Sequence, residues 1–87
     1  MTYRVIYRDD GWVPATNGAP EWRQVVSVDL GDETQLVVVV VRGVASLPRV
    51  AEARIEQPYV RRTAGWKRRT LKRLRPQDVE LVVEAVS

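Results

Sequence analysis

Residues 59–75 read Tyr-Val-Arg-Arg-Thr-Ala-Gly-Trp-Lys-Arg-Arg-Thr-Leu-Lys-Arg-Leu-Arg. Whether this stretch is helix or strand decides the fold class, because the chain before Gly43 already reads as strands. At 100° per residue, Trp66, Thr70, Leu71 and Leu74 fall within roughly 140° of one another, Arg68, Arg69, Lys72, Arg73 and Arg75 occupy most of the remaining arc, and Lys67 intrudes on the apolar side, where its stem can snorkel. As a strand, Leu71 and Leu74 land on opposite faces and both faces stay charged. The spacing therefore predicts an amphipathic helix that buries Trp66, Thr70, Leu71 and Leu74 and ends at Pro76.

The same stretch carries eight cations and no acid: Arg61, Arg62, Lys67, Arg68, Arg69, Lys72, Arg73 and Arg75. The remaining residues hold six Lys/Arg against eleven Asp/Glu, so the net charge of +3 hides a basic segment on an acidic body. Such a block sets up a local potential that collects anionic partners.

Upstream, Tyr3, Val5 and Tyr7 alternate with Arg4, Ile6 and Arg8, which predicts a strand near 2–8. Asp9-Asp10-Gly11 is a turn signal, and Trp12-Val13 can continue as a short strand. Residues 14–20 hold two Pro and an Asn-Gly step and read as a loop. Strands follow near 22–30 and 34–42, joined as an antiparallel hairpin across Gly31-Asp32-Glu33. Five consecutive valines, Val37 to Val41, predict a central strand buried on both faces. Its second face then needs a cover, either the Trp-bearing loop or a second copy of the chain, so a homodimer is one of two solutions.

Downstream of Gly43, Ser46 is placed to cap a short helix over 47–56, with Leu47, Val50, Ala51 and Ile55 on one face and Pro48 in the first turn. A strand over 54–62 competes for the second half of this stretch, with Pro58 confining it to an edge. Pro76, Asp78 and Glu80 start a further helix in which Val79, Val82, Val83 and Val86 follow the i, i+3, i+4, i+7 rule. The expected architecture is one α+β domain over residues 1–87: a three-stranded antiparallel sheet followed by two or three short helices packed on one face.

Composition narrows the function. Val supplies 17 of 87 residues, which favours strands. There is no His and no Cys, so the commonest general base, the thiol nucleophile and the usual zinc ligands are missing. No Gly-rich phosphate loop is present, and Asp9, Asp10, Asp29, Asp32 and Glu33 sit in two turns whose spacing wraps no cation. The chain is thus expected to be non-enzymatic, without cofactor or metal. The longest aliphatic run, 36–41, is far short of the about 20 residues that span a bilayer. No secretory leader is visible after Met1, and the cysteine-free composition leans cytoplasmic.

The leading expectation is a small binding module. Arg61, Arg62, Arg68, Arg69, Lys72, Arg73 and Arg75 contact nucleic-acid phosphates with little sequence specificity, and Tyr59, Trp12 and Trp22 supply aromatic contacts. The alternative is a protein-binding regulator or inhibitor that docks on an acidic surface of a partner protein.

Overall fold

The structure is a computed structural model that describes residues 2–15, 20–62 and 65–84, with side chains described outside 58–68. Among these residues seven strands follow one another: β1 (Tyr3–Tyr7), β2 (Val13–Pro14), β3 (Glu21–Gly31), β4 (Thr34–Gly43), β5 (Arg49–Arg62), β6 (Gly65–Leu74) and β7 (Val79–Val83). A single 3-10 turn, Pro76–Asp78, precedes β7, and no α-helix occurs among the described residues. The expected α+β class is therefore overturned in favour of an almost all-β chain.

Strands β2 to β6 form an antiparallel meander in sequence order, with β4 at its centre. The predicted hairpin across residues 31–33 is present, with Val26 opposite Val38 and Val28 opposite Leu36. Leu36, Val38 and Val40 face the core at 0–1 % exposure, and Ala53 of β5 joins them. The valine run is buried on both faces, as its lack of alternation implies. Val37, Val39 and Val41 stay 2–7 % exposed on the other face. At one end this second face opens into a shallow cleft bordered by Arg23, Val39, Val41 and Glu52.

The core-side face is covered by a second layer that the sequence reading did not foresee. Strand β1 leaves the antiparallel sheet altogether and pairs parallel with β7, Tyr3 opposite Val79 and Tyr7 opposite Val83. Val5 and Val79 enter the core beside Leu36, Val38 and Val40. Gln24 ties this ribbon to the edge of β3: its Nε2 donates to the Arg8 carbonyl at 2.7 Å, and its Oε1 accepts from the Arg8 N–H at 3.2 Å.

All three expected helices give way to strands, each for a local reason. Ser46 caps no helix; its hydroxyl accepts the Gly43 N–H at 2.8 Å and closes the β4–β5 loop. β5 then runs from Arg49 through Glu56, with Ala53 opposite Val38 and Ile55 opposite Leu36. Pro58 does not demote β5 to an edge. It falls beyond the last β4 partner and inside a register shift against β6, where its missing N–H interrupts no regular ladder. The helix over Val79–Val86 is replaced by β7, in which Val79, Leu81 and Val83 share a face at period two; residues 85–87 lie outside the described part. The start signal at Pro76 is real. The Asp78 carboxylate accepts the Arg75 backbone N–H at 3.1 Å and meets its guanidinium at 3.5 Å. Those two hydrogen bonds hold the Asp78 carboxyl below the usual carboxylate range.

The basic segment is the end of β5, to Arg62, together with strand β6, the last in the sheet. Leu74 opposes Ala53 and Arg73 opposes Arg54, after which Lys72 opposes Ile55 and Thr70 opposes Glu56. Leu71 is thus the extra residue of a β-bulge, and it stays 47 % exposed. An edge strand tolerates cations on both faces, and they discourage pairing with another edge. A helix with inward Leu71 is not what this segment forms.

Candidate functional site

The ladder between β4 and β5 ends at Gln35 opposite Glu56. β5 and β6 continue past that point paired only with each other, through Gln57–Arg69, Val60–Lys67, Arg61–Trp66 and Arg62–Gly65. The result is a two-stranded arm over residues 57–62 and 65–69. At about 3.3 Å per residue it extends roughly 20 Å, which accords with a long molecular axis of 45 Å against 31 and 27 Å. Arg61, Arg62, Lys67, Arg68 and Arg69 occupy arm positions, and residues 57–69 contain no acid. The side chains of Tyr59, Arg61, Arg62, Trp66, Lys67 and Arg68 lie outside the described part.

The other cations of the segment belong to the body. The Arg73 guanidinium reaches Glu52 at 3.2 Å, and Glu52 also meets Arg54 at 3.0 Å. Arg54 in turn meets Glu56 at 3.3 Å, where Glu56 is buried. Arg75 is held at the 3-10 turn by Asp78. Arg69 and Lys72 are exposed and make no ion pair with the described residues. By register, Lys72 shares the core-side face of the sheet with Ile55, whereas Arg73 shares the opposite face with Arg54. The single outward strip expected of a helix is thus split: four of the proposed contact residues (Arg61, Arg62, Arg68 and Arg69) take the arm, and Lys72, Arg73 and Arg75 take three separate places on the body.

Trp12 and Trp22 are at the other end of the sheet, both partly buried. They enclose Arg42, whose guanidinium carbon lies 5.4 Å from the Trp12 ring centroid and 5.5 Å from that of Trp22. Asp9 completes the cluster, accepting the Trp12 Nε1–H at 3.0 Å and facing Arg42 at 3.8 Å. The two rings therefore pack about the partly buried Arg42 guanidinium. Arg42 had no signal of its own in the sequence; only the pairing of Arg42 with Trp22 across β3 and β4 reveals it.

The two acidic turns separate to opposite ends. Asp9 belongs to the Arg42 cluster and Asp10 pairs with Arg8, while Asp29, Asp32 and Glu33 border the turn from whose end the arm departs. Among the described residues no group of three acidic side chains is arranged to hold a metal ion. No helix among them is long and apolar enough to cross a membrane. Comparison with protein-family models, curated proteins and solved structures finds no match to this chain.

Proposed function

We propose that the chain is a non-catalytic binding module whose basic arm engages nucleic-acid phosphates with little base specificity. The observation that carries this reading is the arm itself: a two-stranded ribbon, extending beyond the sheet, on which five cations and no acid are placed. A ribbon of two strands is of a width that the major groove of B-form DNA admits. Each phosphate it neutralises releases counterions, which gives affinity without sequence reading. Gln57 is the only amide side chain on the arm, so base-edge recognition has few donors and acceptors to work with. The cytoplasm, where nucleic acid is accessible, is the location that suits such a module.

The test is fluorescence anisotropy with a generic duplex and a generic single strand, titrated across salt. Four or five phosphate contacts predict a slope of log K against log salt of about −4 on duplex. Arg61→Glu, Arg62→Glu, Arg68→Glu and Arg69→Glu together should abolish binding while the circular dichroism of the sheet persists. Absence of binding at low salt, or binding that ignores salt, overturns the proposal. Capture of one stoichiometric acidic protein in place of nucleic acid would transfer the arm to the competing role of a protein-binding regulator.

A further inference from the structure

The outer face of the β1–β7 ribbon is free among the described residues, and its pattern is regular. In a parallel pair, residues opposite one another share a face. Outward from β1 stand Arg4, Ile6 and Arg8; outward from β7 stand Glu80, Val82 and Glu84. Arg4 meets Glu80 at 3.6 Å and Arg8 meets Glu84 at 3.4 Å, each side chain 54–71 % exposed. The Glu84 N–H donates to the Tyr7 carbonyl at 2.8 Å, which keeps the last level in register. Between the two charged levels lies Ile6, 58 % exposed, beside Val82.

We infer that this face is a contact surface for a second copy of the chain. A two-fold axis running along the strands lays β1 of one copy over β7 of the other. Arg4 then faces the second copy's Glu80, Arg8 faces its Glu84, and Ile6 faces its Val82. All three levels match at once, charge on opposite charge at both ends and apolar on apolar in the middle. A self-complementary patch of this kind is what an isologous interface requires. Sheets pack face to face about 10 Å apart, a gap that opposed Arg and Glu side chains span and that Ile6 and Val82 fill. A ribbon face of three outward residue pairs falls well below the about 800 Å² per partner of a standard interface, so the contact belongs to the weak class, with a dissociation constant on the order of 0.1–1 mM. This inference does not depend on the nucleic-acid reading of the arm.

The experiment is sedimentation equilibrium of the intact chain from about 10 µM to about 1 mM at low and at high salt, since a Debye length of about 30 Å at 0.01 M shrinks to about 3 Å at 1 M and exposed ion pairs weaken with it. Wild type is expected to reach roughly 1.5–1.8 times the monomer mass at the highest concentration in low salt, as a dissociation constant of about 0.1–1 mM dictates, and to lose most of that gain in high salt. Arg4→Glu with Arg8→Glu makes the face wholly acidic, and Glu80→Arg with Glu84→Arg makes it wholly basic. Each variant alone should stay monomeric, and an equimolar mixture of the two should dimerise. Ile6→Lys changes an already exposed position and should also stay monomeric, should either charge variant fail to fold. The arm variant with Arg61, Arg62, Arg68 and Arg69 replaced by Glu should dimerise as wild type does. A wild type that remains monomeric at the highest concentration, or folded charge variants whose mixture remains monomeric, overturns the inference.

Discussion

Glu33 carries the clearest backbone strain among the described residues. Gly31, Asp32 and Glu33 have φ of 84°, 52° and 61°, and Gly31 pairs with Thr34 to leave a two-residue hairpin loop. Positive φ at both loop positions is the type I′ turn, whose twist matches that of the flanking strands. Asp tolerates the left-handed region through its short polar side chain, while Glu has no such relief. Local bonds hold the turn closed: the Asp29 carboxylate accepts the Gly31 N–H at 2.8 Å, and the Thr34 hydroxyl donates to the Gly31 carbonyl at 2.6 Å. Replacing Glu33 with Gly creates the favoured Asp-Gly loop. Relief of the left-handed cost, about 1–2 kcal/mol, outweighs the about 0.5–1 kcal/mol that glycine adds to unfolded-chain entropy. Glu33→Gly should therefore stabilise the chain by roughly 0.5–1 kcal/mol, read as a rise in the urea midpoint at unchanged slope. A fall in the midpoint would show that Glu33 has a compensating contact. The turn was legible in the sequence as Gly-Asp-Glu between two strand patterns, but the handedness was not, because it follows from the twist of strands already paired.

At the scale of elements, the sheet was legible where burial imposed a pattern, and the second half was not. Val37 to Val41, apolar without alternation, read as a central strand, and they form one. Val79–Val86 satisfied a helical period, yet Val79, Leu81 and Val83 satisfy period two equally well, and so short a segment cannot separate them. The β-branched composition, which disfavours helix, was the better guide. In the basic segment the bulge at Leu71 breaks the alternation that would have marked a strand. The cations of the candidate site could be counted from the sequence; their division between arm and body could not, because it depends on where β4 stops. The two readings of Leu71 make different demands. A helix would bury it, and Leu71→Ala would then cost about 2–5 kcal/mol. At 47 % exposure on the edge strand it should cost well under half of that. Val38, fully buried at the sheet centre, should cost about 2 kcal/mol or more when cut to Ala. Denaturant unfolding of the two variants side by side checks the order, and a Leu71→Ala loss that matches Val38→Ala would mean that Leu71 is covered in solution and not exposed on the edge strand.

The whole molecule is closed by its two ends. The meander from β2 to β6 is built from neighbours in sequence, each strand pairing with the one before it. The β1–β7 ribbon joins Tyr3 to Val79 across nearly the full chain, and it alone supplies Val5 and Val79 to the core. Loop-closure entropy rises with the length of chain between partners, so this pairing gains nothing until the intervening strands have shortened the path. The physical expectation is a transition state with β3, β4 and β5 associated and the ribbon still undocked. Val38 then has its partners early, while Val5 acquires its contacts after the barrier. Val38→Ala should slow folding, with a φ-value of about 0.5 or above, whereas Val5→Ala should leave the folding rate nearly unchanged and speed unfolding, with a φ-value of about 0.3 or below. Both residues are fully buried, so each substitution removes enough stability for the ratio to be meaningful. Stopped-flow chevrons of the two variants decide the matter: a high φ at Val5 would mean that the chain ends meet first and that the meander forms around them.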